Sequence, residues 1–309
     1  MILSYAFKRT CYFFSIFAAI VLISFFLFHM IPADPARIIL GPNADEAQVS
    51  QLRKELGLDL PLYTQLFNYT KDVAGFNFGK SYVDGRDIGK EILYRLKITA
   101  ALTGLSLIIT FLYLGFVLNV LNSRLRYVIN CIDFLSSSVP IFFSGIVAAI
   151  LTIYFYPVSS FSGTFSVNDF LYLIPPAFVL SLYPMAILSG VLKQEFSVLH
   201  DAPFIVSEKA LGFSNITVLF RYFGKNAMIP VLSTLSSIFP IYITGTFIVE
   251  IIFSIPGISS VIVKSIMGLD FPMLEATVIV NGLIFILINL GFEFVYPIID
   301  PRVLKGGQG

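Results

Sequence analysis

Long stretches of this chain carry almost no charge, and each is about 20 residues long, the length a helix needs to cross a hydrocarbon core of about 30 Å. Backbone in that core has no water to bond, so such runs fold as helices that satisfy their own N–H and C=O groups. Six can be read, at roughly 10–31, 98–121, 128–156, 170–192, 230–249 and 275–299. Pro32 stops the first, Pro140 lies inside the third, and Pro175, Pro176 and Pro184 lie inside the fourth. The chain is 57% hydrophobic and 13% charged, too few charges to cover a soluble core of 309 residues. The first run exceeds a secretion-signal core and no A-x-A-like site follows it, so it reads as a retained span. A net charge of +1 gives no basic footprint for nucleic acid.

Lysine and arginine in the short loops set the orientation. One side holds Lys8, Arg9, Arg124, Arg126, Lys193, Lys209, Arg221, Lys225, Arg302 and Lys305, whereas the short loops of the other side hold Lys264. Both termini are expected to be cytoplasmic. Residues 32–96 then form an extracytoplasmic lobe, with a helix-like piece at Glu46 to Leu56 and turn signals at Gly57, Pro61, Gly75, Gly79 and Gly85. The lobe reads either as a linker between spans or as a docking surface for a delivered solute. Residues 1–31 make the N-terminus and first span, and 97–309 the remaining core, with a polar cytoplasmic segment at 194–229.

Within that segment, Ser207, Glu208, Lys209, Ala210 and Gly212 precede a helical stretch that ends at Pro230. Gly212 permits a tight turn or a close approach to a partner. Pro230 suits the first turn of the fifth span, where a missing N–H costs little. From the residues alone this is either an ordinary loop or an element that carries force from a partner into the membrane.

Ionisable groups at membrane depth are candidates for function. Asp133 lies just inside the third span and is expected to pair with Arg124 or Arg126. Glu293 shares a helix face with Asp300. Glu250 closes the fifth span and precedes an apolar stretch, 251–267, that Pro256-Gly257 interrupts. That stretch is too short to cross and reads as interfacial or re-entrant, so Glu250, Pro256 and Gly257 are candidates for an external gate. Cys11 and Cys131 sit in apolar surroundings, and His29 and His200 have no partner at metal-ligand spacing. No metal site and no catalytic residues are expected. No G-x-x-x-x-G-K-[ST] loop is present, so the chain must borrow any ATPase it uses.

Seven short motifs occur in order. They are Ile31-Pro32-Ala33-Asp34-Pro35, Leu56 to Leu62 (LGLDLPL) before Tyr63, Phe78-Gly79-Lys80-Ser81, Ser136 to Pro140, Val249 to Gly257 (VEIIFSIPG), Asp270-Phe271-Pro272, and Asp300-Pro301-Arg302. In these the chain resembles the inner-membrane permeases of dipeptide, oligopeptide and nickel ABC importers, specifically the first of their two permease subunits. It departs from the family pattern at Ala33, where Gly is usual, and at Glu208, Lys209, Ser189 and Lys193. The resemblance implies an all-α integral membrane protein with six transmembrane helices, the type I ABC importer permease fold. It implies solute transfer from an extracytoplasmic binding protein across the bacterial cytoplasmic membrane, with a di- or oligopeptide as solute or, alternatively, a nickel or other metal chelate. It implies a second homologous permease and one or two ATP-binding subunits as partners, with ATP and Mg held there and no cofactor on this chain. Residues 207–212 would then couple to the ATPase. A secondary transporter is the rival of another class. It predicts an inverted repeat and discontinuous helices at midplane. No repeat is legible, and no well-placed charge pair is expected between the spans. A membrane enzyme would need converging reactive residues such as His or Cys inside the spans, and no such convergence is legible in the sequence.

Overall fold

The computed structural model describes residues 2–30, 34–41, 43–120, 124–155, 167–200 and 225–299. They form the helices α1 (Ile2–His29), α2 (Pro35–Leu40), α3 (Glu46–Glu55), α4 (Leu62–Ala74), α5 (Ile88–Val120), α6 (Arg126–Ser138), α7 (Ile141–Phe155), α8 (Val167–His200), α9 (Lys225–Ile252), α10 (Ile258–Gly268) and α11 (Phe271–Ile299). Five are long and apolar enough to cross a membrane, and the count becomes six if α6 and α7 are one broken span. Phe14, Leu112 and Ile153 are among many large apolar side chains left exposed on these helices, a surface suited to lipid.

The third span departs from the straight helix that its apolar length predicts. α6 and α7 meet at an angle of 105°. The cause is local. Pro140 has no N–H to give the helix, and its ring pushes the preceding residue out of the helical region. Val139 accordingly sits at φ −84°, ψ 123°. The fifth span also starts earlier than expected, because α9 begins at Lys225 and Pro230 lies inside it. The helix tolerates this as membrane helices generally do, by leaving one carbonyl to other partners.

Contacts divide the chain into two units. The first comprises Met1–Ile98 and Pro256–Gly291, the second Thr99–Ile255 and Phe292–Gly309. In the first, Ile88, Ile92, Ile258, Val261, Met273, Ala276 and Val280 form one buried cluster, and Val21, Val73 and Ile279 another. In the second, α8 packs against α6, α7 and α9. Close approach there depends on missing side chains. A Cβ on Gly245 of α9 would come within 2.7 Å of Leu180 on α8, and one on Gly145 of α7 within 2.9 Å of Ile252.

Helix ends are closed by the chain itself. Asp34 caps α2 by accepting from the Ala36 amide at 3.1 Å, with Pro35 at the first helical position. Four helix C-termini close in the same two-bond motif, with a left-handed residue just past the helix. Gly57 takes that place after α3, but Phe76, Ser254 and Leu269 take it after α4, α9 and α10, at φ 53°, 52° and 55°. After α9, the Ser254 amide bonds Ile251 O and the Ile255 amide bonds Glu250 O at 2.8 Å.

Candidate functional site

Glu250 is fully buried in the second unit, in the last turn of α9. Its Oε1 accepts from the Thr99 hydroxyl at 2.5 Å. The turn that follows is fixed by Ser254 and by the Tyr172 hydroxyl, which donates to Phe253 O at 2.7 Å. Pro256 and Gly257 belong to the first unit. Pro256 O accepts from Arg95 Nη1 at 2.9 Å, and Arg95 is ion-paired to Glu91 at 2.5 Å. Gly257 precedes α10 at φ −86°, ψ −168°, extended backbone that any residue adopts. The left-handed position of this connection is Ser254, which the sequence did not mark.

Asp133, in the second unit, is bonded by three side chains, and its cationic partner is Lys193 of α8 rather than Arg124 or Arg126. Lys193 Nζ lies 2.6 Å from Oδ2, the Ser189 hydroxyl donates to the same oxygen at 2.6 Å, and the Tyr113 hydroxyl donates to Oδ1 at 2.6 Å. Lys193 also bonds Asn130 Oδ1 at 2.8 Å. The expectation that the spans hold no placed charge pair is thereby corrected. On a helix, 189 and 193 are one turn apart and share a face, so both reach one carboxylate. The partner choice was not legible because it is made across helices. Glu293 is partly buried on α11, and Asp300 lies outside the described residues.

Motifs far apart in sequence meet in the first unit. Asp270 receives the Ser81 hydroxyl at 2.5 Å and the Tyr82 amide at 3.1 Å, which joins Phe78-Gly79-Lys80-Ser81 to Asp270-Phe271-Pro272 across 189 residues. Gln65 holds the LGLDLPL stretch, donating to Leu58 O at 3.2 Å and Leu60 O at 2.8 Å while its Oε1 bonds His29. Asp34 pairs with Arg53 at 2.6 Å, and Arg37 pairs with Glu46. The Arg53 hydrogen bond holds the Asp34 carboxyl below its usual range, against a smaller opposing effect of burial. A cleft of about 650 Å³ lies beside these motifs, lined among others by Tyr69, Ser81, Tyr82 and Glu275. Burial and then the Glu275 carboxylate push the Tyr69 phenol well above its ordinary value. The Tyr69 and Ser24 hydroxyls are buried without a hydrogen-bond partner among the described residues. Glu275, a carboxylate within the first turns of an apolar helix, joins Phe78, Gly79, Lys80 and Ser81 in the lining of this cleft.

Ser207, Glu208, Lys209, Ala210 and Gly212 lie outside the described residues. No group of His, Cys, Asp and Glu among the described residues gathers as a metal site. Cys11 and Cys131 are free and exposed.

Apolar spans that pack through glycine, a span broken at proline and buried carboxylates bonded across helices define a polytopic membrane protein of the transporting kind. The chain belongs to the family of binding-protein-dependent transport system inner membrane components, which it matches over residues 93–305, and to the family's N-terminal component over residues 2–103. It is a permease subunit of an ABC importer and a multi-pass protein of the inner membrane. Membership decides against the secondary transporter, which the broken span and the Asp133–Lys193 pair would otherwise have favoured. Similar proteins include a peptide transport system permease of Brucella suis, 29% identical over 96% of this chain and 97% of its own length. A peptide ABC transporter permease of Sinorhizobium fredii is 28% identical over 97% and 98%. The glutathione transport system permease GsiC of Escherichia coli K12 is 30% identical over 92% and 94%.

Proposed function

We propose that this permease subunit moves di- or oligopeptides from an extracytoplasmic binding protein into the cytoplasm. The observation that carries the reading is similarity over more than nine-tenths of the chain to permeases named for peptides and for glutathione, itself a tripeptide. A metal chelate is the weaker alternative, since none of these relatives is named for one. ATP and Mg belong to one or two partner ATPase subunits, and a second homologous permease completes the pathway. Both termini face the cytoplasm, by the loop charges. The segment 194–229, with Ser207, Glu208, Lys209, Ala210 and Gly212, docks on the ATPase, and Glu250 with Pro256 and Gly257 contributes to an external gate.

Coupling is tested in the reconstituted complex. Gly212→Glu introduces a bulky charge where a close-packed partner surface is proposed. It should insert normally yet lose the ATPase in pull-down, or keep it without solute-stimulated hydrolysis, while Glu208→Gln stays near the parent. Parental behaviour of Gly212→Glu in both assays refutes the coupling role. Cysteines at 59 and 305, probed on intact cells with an impermeant thiol reagent, test the orientation, and labelling should be confined to 59.

A further inference from the structure

The break between α6 and α7 does more than bend a span. It opens a cavity of about 370 Å³ in the second unit, bounded by the break, by α8 around Pro184 and by α9 around Gly245. The wall residues 179–184 lie at the middle of the span Asn168–Val198, and 241–248 run from the middle of Met228–Ile252 toward its C-terminal end. The cavity therefore sits deep in the bilayer, where irregular backbone persists only if it is buried in protein or lines a wet space.

Its lining has a specific chemistry. Two prolines with no N–H leave the carbonyls four residues before them without their helical partner. Those residues are Ser136, before Pro140, and Leu180, before Pro184, and both line the cavity. The Ser136, Ser138 and Tyr183 hydroxyls also line it and make no hydrogen bond to another described residue. The Ser144 and Thr244 hydroxyls, by contrast, are turned back onto their own helices. No described lining residue carries a charge.

We infer that this cavity is a solute-contact site on the translocation path, and that it takes the backbone amides of a short peptide irrespective of side-chain charge. Freed carbonyls accept from peptide N–H groups, and hydroxyls bond peptide carbonyls. Each satisfies groups that hydrocarbon would leave unpaired. The absence of charge keeps the site from trapping either acidic or basic peptides on their way through. The inference rests on the peptide reading above.

The test uses the complete reconstituted transporter and the tripeptides Ala-Ala-Ala, Ala-Glu-Ala and Ala-Lys-Ala. Failure of the parental complex to take up any of them refutes the peptide reading itself, and this inference falls with it. If the parent transports all three, Ser138→Asp should shift the uptake ratio of the lysine to the glutamate peptide by about tenfold or more, as a charge at close range in a partly dry site demands. Ser138→Asn is the neutral control and should leave the ratio unchanged. Tyr183→Phe should raise KM for all three peptides by a similar, several-fold factor. It provides the reading if Ser138→Asp does not assemble. Parental charge selectivity in an assembled Ser138→Asp complex, or parental KM values in Tyr183→Phe, removes the cavity from the path while leaving the peptide reading intact.

Discussion

Replacing Asp133 by Asn should destabilise the second unit by about 3 kcal/mol. The carboxylate receives three donors at 2.6 Å, from Tyr113, Ser189 and Lys193. Asp133 and Lys193 side chains are only 11% and 15% exposed, so solvent takes over little of the lost interaction. Removing one partner of a buried pair costs about 3–5 kcal/mol, mostly because the other charge stays behind unpaired. Lys193 keeps Asn130 at 2.8 Å and some water, which places the value near the lower bound, about 3 kcal/mol. Lys193→Met leaves the carboxylate with two hydroxyl donors and should cost about 2 kcal/mol, the scale of a charged hydrogen bond. The double variant Asp133→Asn with Lys193→Met leaves no charge stranded, so its loss should fall short of the sum by about 1–3 kcal/mol. Denaturant or thermal unfolding of the detergent-solubilised protein, followed by a probe on α8, measures all four proteins. Additivity within about 0.5 kcal/mol would show that the two charges act independently and refute the reasoning.

Asp270→Ala should destabilise the first unit by about 2–4 kcal/mol, since it strands the buried Ser81 hydroxyl and the Tyr82 amide; unfolding midpoints, with Asp270→Asn as the milder comparison, check this. Leu269→Gly should stabilise by up to about 1 kcal/mol, because the half-exposed Leu269 occupies a left-handed position at φ 55° that glycine adopts freely; a lowered unfolding midpoint would contradict it. Asp34 has a folded-state pKa below its unfolded value of about 3.9, so its contribution is fully present above that value and is lost as pH falls through the lower folded value. Limited proteolysis of 34–60 between pH 5 and pH 2 should therefore accelerate by a few-fold in the parent. Asp34→Asn, which retains a good cap, should lack that step.

The helical membrane class was legible because hydropathy is a local property. A run of apolar residues of bilayer length has few ways to satisfy its backbone, and the order of the motifs identified the family on that scaffold. The helix at Glu46–Glu55 was visible for the same reason, in a short span of sequence with acidic residues at its start and basic ones at its end. What sequence could not supply was the pairing between segments. Asp133 had two nearby arginines as candidate partners, yet Lys193, 60 residues on, is the one that the packing of α6 on α8 brings to it. Ser81 and Asp270 are separate motifs in the chain and a single buried hydrogen bond in the fold. Pro140 announced a perturbation, but the cavity that the 105° bend leaves beside α8 and α9 is visible only in the fold. Charge and hydropathy act residue by residue and can be read along a line. Hydrogen-bond partners and cavities depend on distances of a few ångströms between helices, and only the tertiary structure fixes those.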